Sequence, residues 1–195
     1  MEIKNKLYVT NRKDWRKWLA KNHKKQNEIW LIYYRKETGK PRIPYDDAVL
    51  EALCYGWIDS TVKKINAERF AQRFSPRRPT SVLSQMNKER IRELIKEKKM
   101  TKAGLKAISH AFNPKTDKDE KLKISSDTIK ALQANKEAWK YFQKMPPSYQ
   151  RIRIAYVDGY KQHNTNTYKK TLAHFIKRTA QNKRIGFVRE RRDVA

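Results

Sequence analysis

The sequence predicts an α+β fold, mainly helical, in which a small antiparallel sheet packs against helices and a helical C-terminal part follows. Three observations predict it. Apolar residues recur at helical spacing along most of the 195 residues. Short runs rich in β-branched and aromatic residues are confined to the first 76 positions. From position 81 onward the pattern is helical, apart from one polar stretch. A chain of this length can bury one sizeable core, or one core plus a helical annex.

Each element has its own justification. Trp15, Trp18 and Leu19 share a face of a basic helix over 11–23. The run Glu-Ile-Trp-Leu-Ile-Tyr-Tyr-Arg over 28–35 reads as a strand, and 37–41 is turn chemistry. Pro44 fits the first turn of a helix over 44–56. Tyr45, Ala48, Val49, Ala52 and Leu53 give that helix one apolar face, Asp46 and Asp47 suit its positive end, and Gly56 stops it. Residues 57–63 and 68–75 read as two strands around a turn near Asn66, with strand order left open. Pro76 and Pro79 end the sheet, because proline cannot continue a ladder.

Ser81 or Ser84 caps the next helix, through about Lys98, with Met86, Ile91, Leu94 and Ile95 inward. A short helix over 101–112 completes a core domain, residues 1–112. Residues 113–123 are polar and aperiodic, an exposed loop or linker. A helical subdomain follows over 124–182, with helices at 126–145 (broken at Asn135), 148–163 and 168–181, and a basic tail at 183–195.

Lys and Arg number 47 against 20 Asp and Glu, a net charge of +27. Such a charge concentrates polyanions near the protein. Five Trp, ten Tyr and six Phe argue against disorder. A single cysteine, Cys54, excludes an intrachain disulfide and any cysteine-based zinc spacing. The N-terminus lacks an apolar signal core, and no apolar run nears the roughly 20 residues that span a bilayer. The expectation is a soluble, cytoplasmic protein without a membrane span. No nucleotide loop, H-E-x-x-H or acidic calcium loop occurs, so no cofactor and no metal are expected.

The sharpest chemical feature is Arg77-Arg78 between Pro76 and Pro79. Two guanidiniums on a stiff turn can clamp phosphate or carboxylate, with Arg73 and Ser75 as further donors. Alternatively they pair with Asp59, Asp46 or Asp47 and tie sheet to helix. Asp59-Ser60 can supply a general base, a hydrogen-bond anchor or an arginine partner. Cys54 falls near the C-terminal end of its helix, where the dipole disfavours thiolate, and His23, His110, His163 and His174 lie in no motif. Basic stretches over 12–25 and 151–184, the latter interleaved with Tyr149, Tyr156, Tyr160 and Tyr168, suit nucleic-acid binding. The same tyrosines at helical spacing suit a core equally.

The motifs Tyr45-x-x-Ala48, Glu51-Ala-Leu-Cys-x-Gly-Trp-Ile-Asp-Ser60, Arg73-Phe-Ser-Pro-Arg-Arg78, then Ser81, Ser84 and Asn87, then Met100-Thr-x-Ala-Gly104 resemble the YdeI/OmpD-associated, or bacteriocin-protection, family of bacterial proteins. The resemblance covers residues 13–112 and, more loosely, the helices over 147–181. Leu83 stands where the family usually has tryptophan. The resemblance implies a soluble bacterial protein linked to bacteriocin or envelope-stress tolerance, with no settled activity.

The leading expectation is therefore a noncatalytic binder of an anionic partner or polyanion, nucleic acid included. Its site is a groove between the 44–56 helix and the strands, built from Tyr45, Trp57, Asp59, Ser60, Arg73, Arg77, Arg78, Ser84 and Asn87. The alternatives are an enzyme using Asp59 as base with an arginine clamp on an anionic small molecule, and nonspecific nucleic-acid binding by the whole basic surface. Ligand identity and oligomeric state stay open.

Overall fold

The computed structural model describes residues 3–117 and 121–186, in two compact units that divide after Lys118. Parts of the expected 113–123 linker and 183–195 tail lie outside the described residues.

The first unit runs β1 (Lys6–Leu7), α1 (Arg12–Asn22), β2 (Ile29–Tyr34), α2 (Tyr45–Cys54), β3 (Trp57–Lys64), β4 (Arg69–Pro76), α3 (Gln85–Lys96) and α4 (Lys102–Ile108). The sheet has the order β1-β2-β4-β3. β4 pairs antiparallel with both β2 and β3, in register Tyr33↔Phe70 and Asp59↔Phe74. The β3–β4 hairpin closes at Asn66, whose side-chain carbonyl accepts from the amides of Glu68 and Arg69. The sheet is mixed rather than purely antiparallel, because β1 adds parallel to β2. Two residues pairing through backbone alone carry no side-chain pattern by which sequence reading can find them.

One face of the sheet presents Ile29, Leu31, Tyr33, Trp57 and Phe74 to the core beneath α1 and α2. Trp15 of α1 is fully buried there; its indole donates to the Ala48 carbonyl at 3.0 Å, and its ring meets Trp18 and Phe74. Trp30, Ile32 and Ala71 form a smaller cluster on the opposite face, as strand alternation requires.

The helices start where side chains can cap them. Asn11, Ser84 and Thr101 accept from the backbone amides of Asp14, Asn87 and Gly104. Pro44 precedes α2 as its cap residue rather than lying inside its first turn. After α2 the chain reverses at Gly56, whose φ of +76° lies in the left-handed region that glycine enters without strain.

That reversal brings α2 onto α4 at backbone contact. Thr101 donates both its hydroxyl, at 2.7 Å, and its amide, at 3.1 Å, to the Cys54 carbonyl. A Cβ at Gly104 would lie 2.2 Å from the same oxygen, and one at Gly56 would lie 2.4 Å from the Ala107 Cβ. The Cys54-x-Gly56 and Thr101-x-x-Gly104 motifs are thus two halves of one packing contact.

The second unit is a helical bundle: α5 (Ser126–Ala134), α6 (Lys136–Lys144), α7 (Pro147–Gly159) and α8 (Thr165–Ala180). Asn135 ends α5 and caps α6, accepting from the Ala138 amide at 2.9 Å, so the expected break falls where a single side chain serves as cap. Asn164 caps α8, which therefore begins three residues before the expected 168. Leu132, Phe142, Tyr149, Val157 and Phe175 fill the core. Asp158 ties α7 to the start of α5, accepting from the amide and hydroxyl of Ser125 and from the hydroxyl of Thr128. Among the described residues no helix is long and apolar enough to cross a membrane.

Candidate functional site

The expected site residues separate into a polar corner and several residues with structural duties. At the corner, Tyr45, the first residue of α2, donates its hydroxyl to Asp59 Oδ2 at 2.6 Å. Asp59 sits on the core-side face of β3, opposite Phe74 and just before an irregularity after which pairing resumes at Val62. Burial, then the bond to Asp59, push the Tyr45 phenol above its ordinary value. Tyr33 has a buried hydroxyl without a hydrogen-bond partner, and burial raises its phenol too, with Tyr45 and Asp59 adding to the rise.

Arg77 follows β4 and is 7% exposed. Its backbone amide donates to the Gly56 carbonyl at 2.9 Å, which fixes the turn against the end of α2. Its Nη1 donates to the Val82 carbonyl at 3.1 Å, while Nε and Nη2 are buried without a partner. Burial lowers this guanidinium's pKa and the charge of Asp59 opposes the shift. The segment covering it, residues 77–84, has no regular secondary structure, and Val82 within it is 88% exposed.

The expected pair of clamping arginines is not observed as a pair. Arg77 is buried and Arg78 is exposed, because successive residues of an extended chain point to opposite sides. Trp57, expected as a groove wall, is 1% exposed and belongs to the core; it stacks edge-on with Trp18 and donates to the His23 carbonyl. Arg73 pairs with Glu28 at 2.7 Å and reaches the Ser60 hydroxyl at 3.4 Å. Ser84 caps α3, and Asn87 accepts from Arg90, which itself pairs with Asp46 at 2.8 Å. Asp46 is thus held by Arg90, and neither it nor Asp47 is paired with the Arg77–Arg78 turn. The corner therefore gathers Tyr45, Asp59 and Arg77, with Tyr33 added, and leaves Ser60, Arg73, Ser84 and Asn87 in other contacts.

Sequence reasoning missed a second polar centre. Glu51 is 2% exposed and takes Arg12 on one oxygen and Arg16 on the other, the latter at 2.6 Å. Arg16 also donates to the Lys99 carbonyl at 3.0 Å and lies over the Tyr55 ring. Cys54, beside this cluster, is fully buried, and burial pushes its thiol up, away from nucleophilic use. Among the described residues no group of His, Cys, Asp and Glu could hold a metal. A shallow depression lined by Arg35, Glu37, Thr38, Lys40, Ala67 and Glu68 includes none of the expected site residues.

The fold and these contacts define a two-part α+β protein whose first unit holds a polar corner of Tyr45, Asp59 and Arg77. Residues 7–107 match the family model described as Domain of unknown function (DUF8412), just over half the chain, and residues 121–182 match the model described as Bacteriocin-protection, YdeI or OmpD-Associated. The chain therefore belongs to the first family and carries a domain of the second C-terminal to it. The motifs between Tyr45 and Gly104 that carry the resemblance fall within the first match, and the bacteriocin-protection match falls after them. No curated protein and no solved structure gives a significant match.

Proposed function

We propose that this protein is a noncatalytic binder of an anionic partner, with Arg77 as the central contact and Arg78 at the rim. The carrying observation is the state of Arg77. A guanidinium has five N–H donors, and this one is more than nine-tenths buried with Nε and Nη2 unpartnered. Buried donors left open are destabilising, and a phosphate or carboxylate is the acceptor that matches the guanidinium fork in shape and charge. Asp59 is already engaged by Tyr45. The irregular 77–84 segment is the cover an entering anion has to displace, and the net charge of +27 draws anions to it.

The test is calorimetric titration of the full chain with inorganic pyrophosphate and with DNA over a salt series, wild type against Arg78→Ala. The expected result is saturable pyrophosphate binding that the substitution weakens about fivefold, the size of a rim charge contact. Attraction to DNA alone, fading with salt equally in both proteins, would leave only nonspecific polyanion binding.

A finer proposal is that the binding serves bacteriocin or envelope-stress tolerance from the bacterial cytoplasm; of this, the bacteriocin link is supported by the description of the family that residues 121–182 match. Unchanged bacteriocin sensitivity on deleting the gene would contradict it.

A further inference from the structure

The helical unit carries a surface that uses no residue of the Arg77 turn. Tyr156 on α7 and Tyr160, the residue that caps its C-terminal end, meet edge to face with ring centroids 5.3 Å apart. Their hydroxyls are 3.4 Å apart, and Tyr156 is 52% exposed. The neighbouring tyrosines have a different fate: Tyr149 and Tyr168 are buried in the bundle core. The tyrosines interleaved with basic residues thus divide into two core members, one exposed ring at Tyr156, and Tyr160, half-buried against the core with its hydroxyl reaching Tyr156.

The exposed Tyr156 ring is braced by a buried cation. The Arg153 guanidinium lies 5.7 Å from the Tyr149 ring and 5.9 Å from the Tyr156 ring, and Arg184 approaches Tyr149 at 5.7 Å. Arg153 is 5% exposed and donates to the carbonyls of Ile185 and Gly186, so it positions the ring and is not itself presented to a ligand.

The surroundings are strongly positive. Residues 121–186 hold fifteen Lys and Arg against three Asp and Glu. All three acids are engaged: Asp127 with Lys161, Glu137 with Lys140, and Asp158 with Ser125 and Thr128. Lys130, Lys136, Lys144, Lys169, Lys170 and Lys177 are exposed.

An exposed aromatic ring backed edge-on by a half-buried one, on a cationic unit, fits one class of partner better than others. A duplex offers phosphates but keeps its base faces stacked. An acidic peptide offers charge without π-faces. A single strand offers both, and base–aromatic stacking with backbone neutralisation is its general mode of capture. We propose that Tyr156 and Tyr160 form a stacking platform for the bases of single-stranded nucleic acid, whose phosphates are neutralised by the cations of the same unit.

The experiment measures fluorescence anisotropy of the full chain with labelled single-stranded RNA and DNA of about 16 nucleotides, long enough to cover one platform. Duplex DNA and polyglutamate serve as the other arms. The expected result is single-strand binding that weakens about tenfold in Tyr156→Ala/Tyr160→Ala, the loss of one stacked base, and stays within about twofold in Tyr156→Phe/Tyr160→Phe, which keeps both rings. Circular dichroism melting confirms that both variants fold. Equal single-strand affinity in the alanine variant, or equal affinity of the wild type for polyglutamate or duplex, would overturn the proposal. Because Arg77 and Arg78 are intact in these variants, failure here is distinct from failure of the pyrophosphate site.

Discussion

Tyr45 donates its hydroxyl to Asp59 Oδ2 at 2.6 Å, joining the first residue of α2 to the core-side face of β3. The bond holds the α2 end of the corner in which Arg77 is buried. Its loss in Tyr45→Phe should lower stability by about 1 kcal/mol at neutral pH, the usual net value of such a bond at a half-exposed site. The phenol is raised in the folded protein, by burial first and by the bond to Asp59 second. A raised group stabilises fully below its unfolded value, here 10.0, and that stability is lost as pH climbs towards the folded value. Denaturant unfolding of wild type and Tyr45→Phe should therefore differ at pH 7 and converge above about pH 10. A gap that widens with alkaline pH would contradict this assignment.

The contact between α2 and α4 makes an opposite pair of glycine predictions. Alanine normally stabilises a helix by about 1 kcal/mol over glycine. At Gly104 the new Cβ would stand 2.2 Å from the Cys54 carbonyl oxygen, a backbone atom that cannot swing aside. Gly104→Ala should destabilise by about 2 kcal/mol or more. At Gly159, in the last position of α7, the new Cβ meets nothing within 4 Å, and Gly159→Ala should be neutral or stabilising. Thermal melts of the two variants check both signs.

Glu51 should matter more to the fold than the carboxylates that sequence singled out. It is buried and bridges Arg12 and Arg16 across two helices. Glu51→Ala removes the buried carboxylate both cations share, leaving Arg12 with the more distant Asp47 at 3.6 Å and Arg16 with the Lys99 carbonyl, and should cost about 3 kcal/mol. Guanidinium chloride unfolding measures it, and a loss below about 1 kcal/mol would mean the ion pairs behave as ordinary surface pairs.

Sequence periodicity located the helices because each carries local information: an apolar face, and for five of them a side-chain cap at Asn11, Ser84, Thr101, Asn135 or Asn164. The β3–β4 hairpin was legible for the same reason, through Asn66. The parts that were not legible depend on distant residues. Glu51 is set by Arg12 and Arg16, 39 and 35 positions earlier. The place of β4 between β2 and β3 is decided by pairing across the sheet. Trp57 reads as an exposed aromatic in a motif, yet strand alternation puts it on the side of Asp59 with the core beneath it. Alternation was also the available signal that Arg77 and Arg78 would diverge.

Arg77 should show the trade between stability and binding that an unfilled buried cation implies. Arg77→Met keeps most of the apolar volume, gives up the Val82 bond and removes two unpartnered buried nitrogens. Its stability should stay within about 1 kcal/mol of wild type, since replacing buried charge by well-packed hydrophobe is often neutral. Its pyrophosphate binding should be abolished. Calorimetric melts and titrations on the same samples separate the two effects, and a large loss of stability with binding retained would assign Arg77 to the fold alone.

The most direct measurement follows the arginine Nε–H resonances of the full chain by nuclear magnetic resonance during titration with inorganic pyrophosphate, with Arg77→Met identifying the Arg77 signal. The account predicts that the Arg77 signal moves saturably, ahead of the exposed arginines, as its unpartnered Nε gains an acceptor. An Arg77 signal that stays fixed while the exposed arginines shift together would contradict a site at the turn and leave only diffuse attraction by the basic surface.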